Sequence, residues 1–303
     1  MTFVAILIGL TPSFLLVGLG GLIRGRLSQN AWQGLDKLNF EILFPALLFV
    51  AASTREIRPT AIVTIAPVVW GLLAVGLIVA WRARRYGPER FLDFAGAWQT
   101  AWRFNSALAF VAVGVTELAD PALMAVCIGM AVPMSNAIAV AVLSRGGSMG
   151  VWATLRKVAL NPFLLASLSG VAVGLSDWQI PAPVLAPLRM LAEAAIPIAL
   201  ISVGATMNWG ALARLDRFSG VICASKLIVT PLVAVGVSLA LGLPGAVAVV
   251  VVIWAALPTA SGAHVLAAGF GADRVLSATL VAQTTLLASV TLPVWIAVAA
   301  MMF

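Results

Sequence analysis

The sequence predicts an all-α membrane protein, with ten transmembrane helices arranged as two inverted five-helix repeats. Three observations carry that expectation. Apolar runs long enough to span a bilayer recur from end to end, basic residues crowd into alternate connections, and short motifs of the first half return in order in the second.

Of 303 residues, 62% are hydrophobic and 10% charged, where soluble domains average about half and a quarter. A soluble fold cannot bury that much apolar surface, whereas each helix in a bilayer takes about 20 mostly apolar residues. The net charge of +7 sits in short bursts of Lys and Arg between apolar runs. Membrane lipid is therefore an expected partner and nucleic acid is not. Cys127 and Cys223 both lie inside apolar runs, which points to packing and away from a disulfide framework or a zinc site.

Apolar periods bounded by charges or turn residues place segments at 3–23, 32–53, 60–81, 92–115, 121–143, 154–175, 187–207, 218–241, 246–268 and 275–301. Segment 1 has Arg24 and Arg26 behind it and no basic flank in front, the reverse of a secretion signal, so it is expected to stay as a helix. Segment 2 opens with Asp36, Lys37 and Glu41, and segment 4 is interrupted by Asp93, Gln99, Arg103 and Asn105. Their polar residues must face protein or water, because a lipid-facing charge at depth is costly. Asn136 in segment 5 and Gln283 in segment 10 are amides inside apolar spans, where bonding between helices is the default reading. Lys226 in segment 8 is expected to snorkel to the cytoplasmic surface. Most of the ten Trp residues fall near segment ends and read as an interfacial belt.

Thirteen basic residues, from Arg24 to Arg274, follow the odd-numbered segments, against three (Arg55, Arg58 and Arg189) on the other side. Positive charge favours the cytoplasm, so both termini are expected to be extracytoplasmic. Glu41 and Pro45 of segment 2 are answered by Glu193 and Pro197 of segment 7 at an offset of 152, Pro12 by Pro162 at 150, and Pro133 by Pro293 at 160. Residues 1–150 and 151–303 thus form two repeats of five segments, and an odd number makes the second copy enter from the opposite face. That architecture is typical of secondary transporters; the other reading of the matches is a coincidence among proline-bearing helices.

No Lys follows the glycine pattern of a phosphate-binding loop, and a single histidine excludes a two-histidine protease motif. Neither an enzyme nor a cofactor or metal is expected. Segment 9 sets Pro258, Thr259, Ser261, Gly262 and His264 in mid-span. Proline frees a carbonyl and glycine tolerates unusual dihedrals, so backbone becomes available to a ligand; a plain proline kink is the alternative. Segment 4 offers Arg103, Asn105 and Ser106 at comparable depth. Guanidinium binds carboxylates bidentately and the amide adds donors, which invites an anion. The alternatives for Arg103 are a pair with Glu41, Glu193 or Asp93, or snorkelling. His264 could exchange protons near neutral pH, or simply pack. With Asn136, Gln283, Glu41 and Glu193 it makes up the candidate set for proton or ion coupling.

Several stretches resemble the auxin efflux carrier family, which includes bacterial transporters and the plant auxin exporters. They are Thr11 to Gly20, Leu38-Asn39 with Phe44-Pro45 and on to Phe49, and Asn161-Pro162, then Ala194 to Leu200 with Val203-Gly204-Ala205, Ala255 to Ala260, and Thr291 to Pro293. The resemblance implies that segments 1, 2, 6 and 7 form a scaffold, that segments 3–5 and 8–10 move, and that segments 4 and 9 are broken where they cross near the substrate. The family's fourth helix has a proline seven residues after its Asn; here Asn105 is kept and position 112 is alanine, so a less sharp break is expected. Gly262 stands where many relatives carry Asn, leaving that contact to Ser261 or His264.

The function so implied is an elevator-type exporter of small organic anions, carboxylates above all, with a homodimer among the assemblies considered. The alternative is a sodium- or proton-coupled importer of organic acids resembling the bile acid and sodium symporter group. Asn136, Gln283, Thr259 and Ser261 would supply its ion ligands. A membrane sensor is disfavoured by the lack of a soluble domain to signal through.

Overall fold

The computed structural model describes residues 3–54, 59–143, 162–176, 178–206, 209–210, 215–260 and 262–303, with 152, 156, 159 and 160 between them. Among these the secondary structure is helical apart from one isolated antiparallel bridge, Phe104 to Thr259.

The first half comprises α1 (Phe3–Ile23), α2 (Gln29–Leu38), α3 (Phe44–Ser53), α4 (Pro59–Trp81), α5 (Phe91–Trp98), α6 (Ser106–Gly114) and α7 (Pro121–Leu143). The second comprises α8 (Pro162–Gly174), α9 (Ala182–Thr206), α10 (Arg217–Ala224), α11 (Thr230–Ala240), α12 (Gly245–Ala255), α13 (Ala263–Gly269) and α14 (Arg274–Met302). Five of the described helices, Ile62–Tyr86, Pro121–Leu143, Ala182–Thr206, Arg217–Ala240 and Arg274–Met302, are long and apolar enough to cross a bilayer. The chain is a multi-pass membrane protein.

Local chemistry sets the helix ends. Asp216 and Ser219 form a reciprocal capping box at the start of α10, with bonds of 2.8 and 3.0 Å. Asp273 accepts from the Val275 and Leu276 N–H groups to open α14. α2 runs into α3, and α10 into α11, through π-helical turns at Asn39–Leu43 and Ser225–Val229, each just ahead of a proline, Pro45 and Pro231. Proline has no N–H for the carbonyl four residues back, so a widened turn is one way to relieve the ladder.

Small residues let the helices touch. A Cβ on Gly20 of α1 would overlap the Ile201 carbonyl of α9, and one on Gly204 would overlap the Val17 carbonyl of α1. A Cβ on Gly170 of α8 would lie 2.9 Å from the Phe49 carbonyl of α3. This is packing by close backbone approach, which lipid-embedded helices use in place of a hydrophobic drive. Polar side chains tie the same group together: Asn39 donates to the Ala195 carbonyl at 3.1 Å, and Ser202 donates to Asp36.

α12 is enclosed on every side, with Val247 to Ala255 all buried, as a helix apolar all round should be. Trp102 and Trp254 are buried here too, at 0% and 1% exposure, so these two do not belong to an interfacial belt. Trp32 is also buried, with its indole donating to the Arg24 carbonyl. Cys127 and Cys223 are free and buried, in keeping with a packing role.

Segment 4 is broken although position 112 is alanine. α5 stops at Trp98, a 3-10 turn spans Gln99–Ala101, and α6 resumes only at Ser106, with Ala112 inside it. No proline is needed, because partners outside the segment take up the backbone groups that the break exposes.

Candidate functional site

The two interrupted stretches, 102–105 and 256–260, meet. Asn105 N–H donates to the Pro258 carbonyl at 2.9 Å and Ala260 N–H donates to the Arg103 carbonyl at 3.1 Å, the reciprocal pair that makes the Phe104–Thr259 bridge. Side chains satisfy the loose end of the first half-helix. Thr259 Oγ1 donates to the Thr100 carbonyl at 2.8 Å, and Lys226 Nζ donates to the Ala101 carbonyl at 3.4 Å. Thr259 N–H in turn donates to Thr284 Oγ1 of α14 at 3.3 Å. These bonds pair several of the backbone groups that the two breaks expose, in the manner that burial at membrane depth favours.

Arg103 is 9% exposed. Its guanidinium donates to Asn136 Oδ1 of α7 at 2.8 Å and to Gln99 Oε1 at 3.3 Å. Gln99 reaches across with its own amide to the Ala263 carbonyl at 3.2 Å, where α13 begins. None of Glu41, Glu193 and Asp93 is the partner of Arg103. Glu41 and Glu193 are exposed, Glu41 pairing with Lys37 at 3.8 Å. Asp93 pairs with Arg90 at 3.6 Å and accepts the Asp273 N–H. A guanidinium carries five N–H donors in a fixed fork, and here neutral amide oxygens alone hold it among the described residues.

Of the other residues singled out in the sequence, Asn105 is buried, its Oδ1 accepting the Leu108 N–H at 3.4 Å to cap α6. Ser106 lines a small cleft with Phe104, Ser135, Trp254 and Leu257. Pro258 is buried, and Ser261 lies outside the described residues. His264 lines a second small cavity with Val203, Thr206, Val281 and Thr285, between α9 and α14. Gln283 is buried on α14 beside Thr284. The crossing therefore gathers Arg103, Asn105, Pro258, Thr259 and Asn136, and it does not gather Glu41 or Glu193.

Sequence reasoning missed two participants. Gln99, read only as an interruption, orients Arg103 and ties the two half-helices together. Lys226 does not snorkel. It is 0% exposed, with Nζ 3.2 Å from the centre of the Phe104 ring, whose other neighbour is the Trp254 ring at 4.2 Å between centroids. The signal for it was a lysine several residues inside an apolar segment.

Buried polar groups gather where two broken helices cross inside a multi-pass helical protein, and the proteins this chain resembles are membrane transport proteins. Residues 148–296 match the family model described as "Membrane transport protein". A protein of Rhizobium meliloti (strain 1021) named "Putative malonate transporter" is 29% identical over 300 residues, covering 92% of this chain and 91% of the relative. An "Uncharacterized transporter" of Methanothermobacter thermautotrophicus is 32% identical over 142 residues, 46% of each chain. The second half of the chain matches this family model, and the similarity to the Rhizobium protein over nearly the whole chain supports a transporter of the auxin efflux carrier family.

Proposed function

We propose that this protein is an elevator-type exporter of small carboxylate anions, with short dicarboxylates such as malonate foremost, and that Arg103, Asn105, Ser106, Pro258, Thr259 and Ser261 form its substrate site. The observation that carries this reading is the buried Arg103 guanidinium, held by Gln99 and Asn136 with no carboxylate partner among the described residues. A buried cation calls for a counter-charge, and an anionic substrate supplies one. The name of the Rhizobium relative favours the same class.

The architecture in this proposal is ten spans in two inverted repeats, residues 1–150 and 151–303. Segments 1, 2, 6 and 7 hold still while segments 3–5 and 8–10 move, and both termini are outside an inner membrane. Packing supports the repeat. Under the offsets of 150 for segments 1 and 6 and 152 for segments 2 and 7, Gly20 becomes Gly170 and Ile201 becomes Phe49. The close approach of Gly20 to the Ile201 carbonyl then has its counterpart in that of Gly170 to the Phe49 carbonyl. The two bonds of the Phe104–Thr259 bridge exchange in the same manner, as a two-fold axis through the crossing requires.

Asn105→Ala tests the site. Its backbone bond to Pro258 survives the substitution, and the lost cap costs about 1 kcal/mol. The purified variant is expected to stay folded and to bind malonate at least tenfold more weakly, read as ligand-induced thermal stabilisation. Malonate stabilisation equal to that of the parent would remove Asn105 from the site.

A further inference from the structure

Two charged side chains are buried among the described residues, Arg103 and Lys226, and the transport reading above uses only the first. The Lys226 amine donates at 3.4 Å to the carbonyl of Ala101, the last residue of the 3-10 turn that closes the first half-helix. Unpaired carbonyls at a helix C-terminus concentrate partial negative charge. The Phe104 face, 3.2 Å away at its centre, adds a second negative surface. Gly76 of α4 faces the same carbonyl, with a Cβ at that position falling 3.0 Å from it. Among the described residues no carboxylate lies within ion-pair distance of Lys226.

The carbonyl end of a broken helix at membrane depth is where ion-coupled transporters lodge a cation from solution. Here a covalently attached lysine amine stands in that place. We propose that Lys226 is a tethered cation that replaces a dissociable coupling ion at the crossing, so that movement of the anion needs no sodium. Lys226 is on this account a positioning residue: it holds the half-helix end and the Phe104 ring in register, and it need not touch the substrate. The assignment rests on the crossing being the transport site.

The test compares malonate-induced thermal stabilisation and proteoliposome uptake in sodium and in N-methylglucamine salts. The parent is expected to respond equally in both, within twofold, and so is Lys226→Arg. Lys226→Met and Lys226→Ser are expected to lose at least tenfold in N-methylglucamine. Sodium or methylammonium, small enough to enter the vacated space, should restore at least fivefold to Lys226→Ser. A purely structural lysine would not make its replacement cation-dependent. A parent that requires sodium overturns the assignment, and so does a folded Lys226→Met matching the parent without sodium. Should neither neutral variant fold, sodium titration of the parent decides. Stabilisation by sodium means that a further cation is taken up and overturns the assignment, while its absence supports it. If malonate and related dicarboxylates stabilise the parent in no buffer, the transport-site reading itself has failed. An intact but sodium-dependent malonate response counts against Lys226 alone.

Discussion

The indole of Trp295 donates to the carbonyl of Leu227 at 2.8 Å, and Leu227 is the acceptor that Pro231, four residues on, leaves without its helical donor. One side chain of α14 thus repairs the ladder inside the π-helical turn that carries Lys226. Trp295→Phe keeps an aromatic ring and removes the donor. Leaving a carbonyl unpaired in an apolar setting costs about 1–3 kcal/mol, and thermal denaturation in detergent should show a lower midpoint. An unchanged midpoint would mean that the carbonyl finds another donor.

Gly20 and Gly170 each meet a carbonyl oxygen too closely to admit a methyl group, whereas Gly18 has nothing within 4 Å of its would-be Cβ. Overpacking of a tight contact costs about 1–3 kcal/mol, while alanine in an open helical position gains up to about 1 kcal/mol. Gly20→Ala and Gly170→Ala should each lower the midpoint of denaturation, and Gly18→Ala should hold or raise it. Equal behaviour of all three would contradict the close backbone approach of α1 to α9 and of α3 to α8.

Arg103→Lys keeps a positive charge and forfeits the fork that reaches both Gln99 and Asn136. Loss of a charge-assisted bond, worth about 1.5–3 kcal/mol, corresponds to roughly a tenfold to more than hundredfold rise in Kd. Calorimetric titration with malonate should show that rise in the Lys variant. Wild-type affinity would show that charge without geometry suffices.

Much of the helical course could be read along the chain, because apolar runs bounded by charges set where helices begin and end. Segments 3–23 and 121–143 coincide with α1 and α7 to the residue. The interruption near Pro258 was visible because proline and Gly262 mark it locally. The one before Asn105 was only half visible, since what completes it comes from far away: Thr259 on the Thr100 carbonyl and Lys226 on the Ala101 carbonyl, 159 and 125 residues distant. The same distance hid the place of Lys226. Counting turns along segment 8 put it near the cytoplasm, but its burial is decided by Phe104 and Ala101, which no local pattern announces. Arg103 was legible as a buried cation, yet its partners were not. Amides on the same and a neighbouring helix took the role that acidic residues would have been given by charge matching alone.

The pairing that joins the two broken stretches is made by main-chain atoms, Asn105 N–H to the Pro258 carbonyl and Ala260 N–H to the Arg103 carbonyl. Neither bond depends on what the side chains at 103, 105 and 260 are. If the crossing is the substrate site proposed above, a lineage could exchange those side chains, and with them its cargo, without redesigning the main-chain joint that holds the two half-helices together. Divergent chemistry on one constant main-chain clasp is what such a joint makes accessible to evolution.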